Sequence, residues 1–136
     1  GTEQLKRAQS HNYASTGMFT HHQSMVFSRE VVVRERILYD LKFSIAADYD
    51  FMLRFLESSK SVFQYAGPIS NFSSGGVSQI RHVTGRREQF LIRKRHYNNN
   101  VFALRVYLFQ AAAKKLRVLS PNLYWRIKNF YVKFRN

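Results

Sequence analysis

The feature that most constrains this chain is where its charge lies. Residues 1–80 carry 8 Lys and Arg against 7 Asp and Glu, whereas residues 81–136 carry 14 against a single acid, Glu88. A segment with so little acid cannot neutralise itself as it compacts. It spreads its cations over exposed surface and attracts polyanions, either nucleic acid or the anionic face of a membrane. The apolar spacing agrees with that division. Beyond Thr84 the pattern is helical throughout and predicts a long basic helix from about Gly85 to Leu119, with Asn98-Asn99-Asn100 as its weak point. Ser120-Pro121 then supplies an N-cap and a first-turn proline for a last helix, Asn122 to Phe134.

A helical wheel of that last segment puts Leu123, Tyr124, Ile127, Phe130, Tyr131 and Phe134 on one face, with Trp125 and Val132 opposite. Arg126 and Lys133 flank one side of the stripe, and Lys128 and Arg135 the other. This is the pattern of an interfacial helix whose cations snorkel to anionic headgroups, and equally of a helix that packs its stripe on the domain's own core. Arg93, Lys94 and Arg95 in "RKRHY", with Lys114, Lys115 and Arg117 in "KKLR", add further candidate anion contacts. Nucleic acid fits the charge less well as a partner, because no recognition motif is present and the segment from His21 to Ser78 would go unexplained.

The charge-balanced part reads differently. With 45% hydrophobic and 15% aromatic residues the chain has material for a folded core, which excludes a disordered tail. It has no cysteine, so disulfides, thiolate metal sites and thiol nucleophiles are all excluded. No signal peptide and no run of about 18 apolar residues is visible. After a polar leading loop to about Thr20, Met25 to Phe27 reads as a short buried strand, and Ser28 as the N-cap of a short helix with Glu30 in its first turn. Leu38 to Ser44 reads as an irregular connection. Asp48 to Ser58 has apolar residues at Phe51, Met52, Phe55 and Leu56, the spacing of a helix that buries one stripe. Ser61 to Gly67 and Ile69 to Ser73 read as strands, the second running into the loop "SSGGVSQ". That loop has no helix at phosphate-cradling distance and is not a P-loop.

Taken in order, "HHQSMVFSRE", "DLKFSIAADYDFMLRFL" and "FQYAGPISNFSSGGVSQI" resemble the C-terminal, acceptor-side half of a glycosyltransferase family 2 enzyme of the GT-A fold, closest to the bacterial members that build surface polysaccharides. The resemblance covers about His21 to Arg95. It implies an α+β fold for residues 1–80, short strands and a helix completing the C-terminal part of a GT-A α/β domain. Residues 81–136 would follow as an extension of two basic, amphipathic helices.

The resemblance also implies roles. In Ala47-Asp48-Tyr49-Asp50, Asp48 matches the family's catalytic base, at a helix start where backbone N–H groups hold a carboxylate ionised, while Ala47 stands where many members carry Glu. Asp50 orients the backbone or binds the acceptor, and Arg54 is a paired or solvated arginine or a contact for an acidic sugar or diphosphate. By resemblance His22 and Gln23 lie on the floor of the site and Gly75, Gly76 and Ser78 beside the donor, while the residues alone read as a polar loop and a flexible turn. A homodimer is one further expectation. The family's Mg²⁺ or Mn²⁺ is expected in the full-length enzyme, its Asp-x-Asp ligands being absent from this chain, so that this chain alone would be inactive on its nucleotide-sugar donor and its glycan or lipid-linked acceptor. The implied location is cytoplasmic, peripheral on the inner face of the bacterial plasma membrane.

Overall fold

Among the described residues the longest buried stretch is the run Tyr49, Asp50, Phe51, Met52 and Leu53, and the rest of the described fold is arranged around the helix that carries it. The computed structural model describes residues 8–70 and 80–133. Among them, two short 3-10 turns, His11–Thr16 and His22–Ser24, precede α1 (Arg29–Arg34) and α2 (Ala47–Ser58). The helices α3 (His82–Tyr97), α4 (Asn100–Leu119) and α5 (Pro121–Lys133) follow.

Local sequence explains most of these boundaries. Ser28 accepts a hydrogen bond from the Val31 N–H at 3.4 Å and starts α1, with Glu30 in the first turn where a negative charge suits the helix dipole. The long basic helix expected over residues 85–119 is two helices. Asn98 closes α3 in the left-handed conformation (φ 45°, ψ 34°), and the Asn99 side chain accepts from the Phe102 N–H at 2.9 Å to open α4. Asparagine is the non-glycine residue best suited to both tasks, so adjacent asparagines end one helix and begin the next.

The core joins α2 to α3 and to the leading turn: Ala14, Ala46, Tyr49, Met52, Leu53 and Ile92 are buried together, with Met18, Phe19, Met25, Phe43 and Leu56 packed around them. The face of α3 that meets α2 carries Gly85, Glu88 and Ile92, one helical turn apart. Gly85 permits the close approach, since a Cβ there would lie 3.0 Å from Ile45 Cγ2. Residues 82–97 therefore share a core with residues 14–56, and the change in charge at residue 81 is not a change of packing unit. On the other side of α3, Phe90 meets Tyr107 of α4 and Ala103 is fully buried.

The expected α+β class is overturned: the described residues are helical and contain no strand. Met25 to Phe27 and Ser61 to Gly67, expected as strands, enter no ladder, and neither do Ile69 and Ser70, the described part of the third. A strand exists only through hydrogen bonds to a neighbour, and β-branched and aromatic residues cannot supply one locally. Here the pattern meets no partner. Val26 and Phe63 are instead among the most exposed apolar side chains of the chain, at 88% and 90%.

Candidate functional site

Asp48 lies in the first turn of α2, whose N-terminus has no side-chain cap of its own, since the cap residue is Ala46. The backbone there is held from outside the helix. Glu88 of α3 accepts from the Ser44 N–H (3.0 Å) and Ser44 hydroxyl (2.9 Å) through Oε1, and from the Ile45 and Ala46 N–H groups (both 2.8 Å) through Oε2. Burial pushes the Glu88 carboxyl up, but these four donors outweigh it and hold the group below its ordinary range. The sequence does carry a signal for this residue: Glu88 is the lone acid among residues 81–136.

This clamp sets the direction in which α2 presents its carboxylates. Asp48 and Asp50 are two residues apart, about 200° around the helix, and so occupy opposite faces. The Asp48 side chain is 48% exposed, and its Oδ2 lies 3.8 Å from His22 Nδ1, an ion-pair separation beyond hydrogen-bond reach. His22 in turn meets the Tyr39 hydroxyl through Nε2 at 3.0 Å. With Nδ1–H turned to the carboxylate, Nε2 is the acceptor for Tyr39 O–H, the tautomer that this neighbourhood favours. Tyr39 stacks on Phe51 (4.8 Å, 20°), and Phe27 meets Phe51 and Phe55 edge-on, so an aromatic wall backs one side of the group. Burial, and next the Asp48 charge, raise the Tyr39 phenol above its ordinary value, keeping it a neutral hydrogen-bond donor.

Asp50 has a different fate. Its side chain is 3% exposed and pairs with Arg54 one turn later (2.8 Å) and with Arg95 of α3, which also holds Asp40 at 2.8 Å. Arg54 donates to the Leu38 carbonyl as well. These groups line an open pocket of about 390 Å³ with Leu38, Glu57 and His96, a pocket that Asp48 does not line. Its three acids outnumber its two guanidinium groups, so Arg54 is committed to structure there and not displayed to an anionic ligand.

Two residues expected at one site are thus brought together, His22 and Asp48, and Tyr39 joins them as a third member that the sequence reading missed, having placed it in an irregular connection. Gln23 is exposed beside His22 in the same 3-10 turn. Gly75, Gly76 and Ser78 lie outside the described residues.

Among the residues expected to bind anions, Arg93 is corrected: it is fully buried, donates to the Ser15 and Thr16 carbonyls at 3.0 and 2.9 Å, and lies over the Tyr49 ring. A guanidinium suits that place because the last carbonyls of the turn His11–Thr16 are its unsatisfied, negative end. Arg95 is half-exposed but doubly paired. Lys94, Lys114, Lys115, Arg117, Arg126 and Lys128 are exposed. Lys133 belongs to α5, and Arg135 lies outside the described residues.

The described residues do not fit a catalytic metal. No group of three or more His, Cys, Asp or Glu side chains converges among them, and Asp50, the second acid of the only Asp-x-Asp, is held by two arginines. No described helix is long and apolar enough to cross a membrane. Compared with known protein families, characterised proteins and solved structures, the chain matches none.

Proposed function

We propose that this chain supplies the acceptor side of an inverting glycosyl-transfer site. In that reaction a sugar moves from a nucleotide-sugar donor to the hydroxyl of a glycan or lipid-linked acceptor during surface polysaccharide synthesis. The observation that carries the reading is the division of labour between the two carboxylates of α2: Asp50 is buried and neutralised, while Asp48 stands half-exposed at the helix start, beside an imidazole and a phenol. A general base must be ionised, aimed and reachable by the hydroxyl proton, and only Asp48 meets all three requirements.

In the proposed step the acceptor O–H gives its proton to the Asp48 carboxylate while its oxygen bonds the anomeric carbon. The bond from that carbon to the diphosphate breaks, and the nucleoside diphosphate leaves. His22, held by the Tyr39 hydroxyl, keeps its ring beside the Asp48 carboxylate. No step is assigned to a metal, because the described residues do not make a site for one.

Asp48→Asn keeps the shape and removes the base. In the enzyme that carries this chain, release of nucleoside diphosphate from a panel of UDP-, GDP- and dTDP-sugars should fall about 10²- to 10⁴-fold, with donor KM little changed. A variant within a few-fold of the parent would refute Asp48 as base. On the same reading the 136-residue chain by itself lacks the donor side, so clear micromolar binding of a nucleotide-sugar by it in calorimetry would count against the proposal.

A further inference from the structure

The outward face of α4 exposes an apolar stripe. At 100° per residue, Val101, Leu104, Leu108, Ala112, Lys115 and Leu119 fall within one stripe, with Phe109 at its edge. All are exposed, Phe109 at 74% and Leu119 at 69%. The opposite face makes the contacts with the rest of the chain: Ala103 is buried, Tyr107 meets Phe90, and Gln110 donates to the Thr16 carbonyl. The stripe from Val101 to Leu119 runs for about 27 Å at 1.5 Å per residue, and only Arg105 and Lys115 interrupt it.

The helix α5 adds cations and apolar side chains on more than one face. Ile127 and Phe130 are exposed on one side and Trp125 on the other, where Lys128 Nζ (4.7 Å) and the Arg117 guanidinium (5.9 Å) lie over its ring. No acid occurs after Glu88.

We infer that α4 and α5 form a docking surface for an anionic lipid bilayer, lying in its interface with the α4 stripe in the acyl boundary and the lysines and arginines at the phosphates. Three candidate occupants meet this face differently. A second copy of the chain would set cations against cations with no acid between them. A nucleic acid would satisfy the cations and leave the apolar ridge facing phosphate. An anionic bilayer takes both, the ridge to a depth of about 5–10 Å and each nearby cation with on the order of 1 kcal/mol. Because no described helix is long and apolar enough to cross the bilayer, these helices lie on it. The inference is independent of the transfer reaction, since none of its residues belongs to the Asp48 group.

The test uses the full chain with vesicles of pure phosphatidylcholine and vesicles containing about 30% phosphatidylglycerol. The expected result is flotation with the anionic vesicles only. Leu108→Glu with Phe109→Glu should weaken binding at least about tenfold while leaving circular dichroism unchanged, both side chains being exposed in the free chain. Arg105→Glu with Lys115→Glu, both exposed in the stripe, should weaken it most at low salt. Four outcomes would overturn the inference. These are no flotation with anionic vesicles, flotation insensitive to the Leu108/Phe109 pair, a solution dimer that this pair converts to monomer, and binding of random duplex RNA that the Leu108/Phe109 variant loses in parallel.

Discussion

Glu88→Gln is the most informative single change to this fold, because one carboxylate organises the whole start of α2. The parent side chain accepts four hydrogen bonds, two on each oxygen. Glutamine has one acceptor oxygen and an NH₂ group. In its better orientation the oxygen keeps the Ile45 and Ala46 N–H groups, and the Ser44 hydroxyl rotates to accept from the amide. The Ser44 N–H is then left facing an N–H. One stranded donor costs about 1–3 kcal/mol, and converting the remaining charge-assisted bonds to neutral ones costs roughly another 1–3 kcal/mol together. The expected loss is about 2–6 kcal/mol at pH 7, a large share of the 5–15 kcal/mol typical of a domain.

The pH dependence has a definite sign. Glu88 titrates below its ordinary value of 4.5 in the folded state, so its contribution is present above that value and is lost as pH falls through the lower, folded one. Urea unfolding followed by circular dichroism at pH 7 and at progressively lower pH is the assay. Parent and variant should converge at the acid end, where the parent carboxyl is also uncharged. A difference below about 1 kcal/mol at pH 7, or one that does not change with pH, would refute the clamp.

Two further outcomes follow from other parts of the fold. Burial above all pushes the Tyr49 phenol up to about 12, so stability should fall as pH rises from 10 toward 12. Tyr49→Phe should lack that alkaline loss in stability titrations, at some cost near neutrality because Tyr49 donates to the Ala14 carbonyl at 2.8 Å. At the junction of α3 and α4, Asn98→Gly should change thermal stability little, whereas Asn98→Val, β-branched at φ 45°, should cost on the order of 1–3 kcal/mol by urea titration.

The readable parts of the chain were those governed by near neighbours. The expected helix at Asp48 to Ser58 differs from α2 by one residue at its start, Ser28 caps the helix assigned to it, and the asparagines expected to weaken a long helix divide it. Each of these features is settled within four or five residues, by capping oxygens and apolar spacing. The strands failed for the complementary reason. Met25 to Phe27 and Ser61 to Gly67 have strand-like side chains, but pairing is a property of two segments brought side by side, and neither enters a ladder among the described residues.

The candidate site divides in the same way. The placement of Asp48 and Asp50 on opposite faces of one helix follows from their spacing, and so does the exposure of a strongly basic half. Which carboxylate is spent on structure does not, because Asp50 meets Arg95 across 45 residues and Glu88 reaches Ser44 across 44. Nor does local pattern separate Arg93, buried over Tyr49, from its exposed neighbour Lys94. By itself the sequence determined the start of α1, the break at Asn98-Asn99, the lone acid among the cations and the apolar content of α4. Only the tertiary structure decided which acid stays open to solvent, which arginine enters the core and which face of α4 is left uncovered. Those outcomes depend on contacts between distant segments, and hydrogen-bond donors, guanidinium groups and apolar faces take the nearest partner in space, not in sequence.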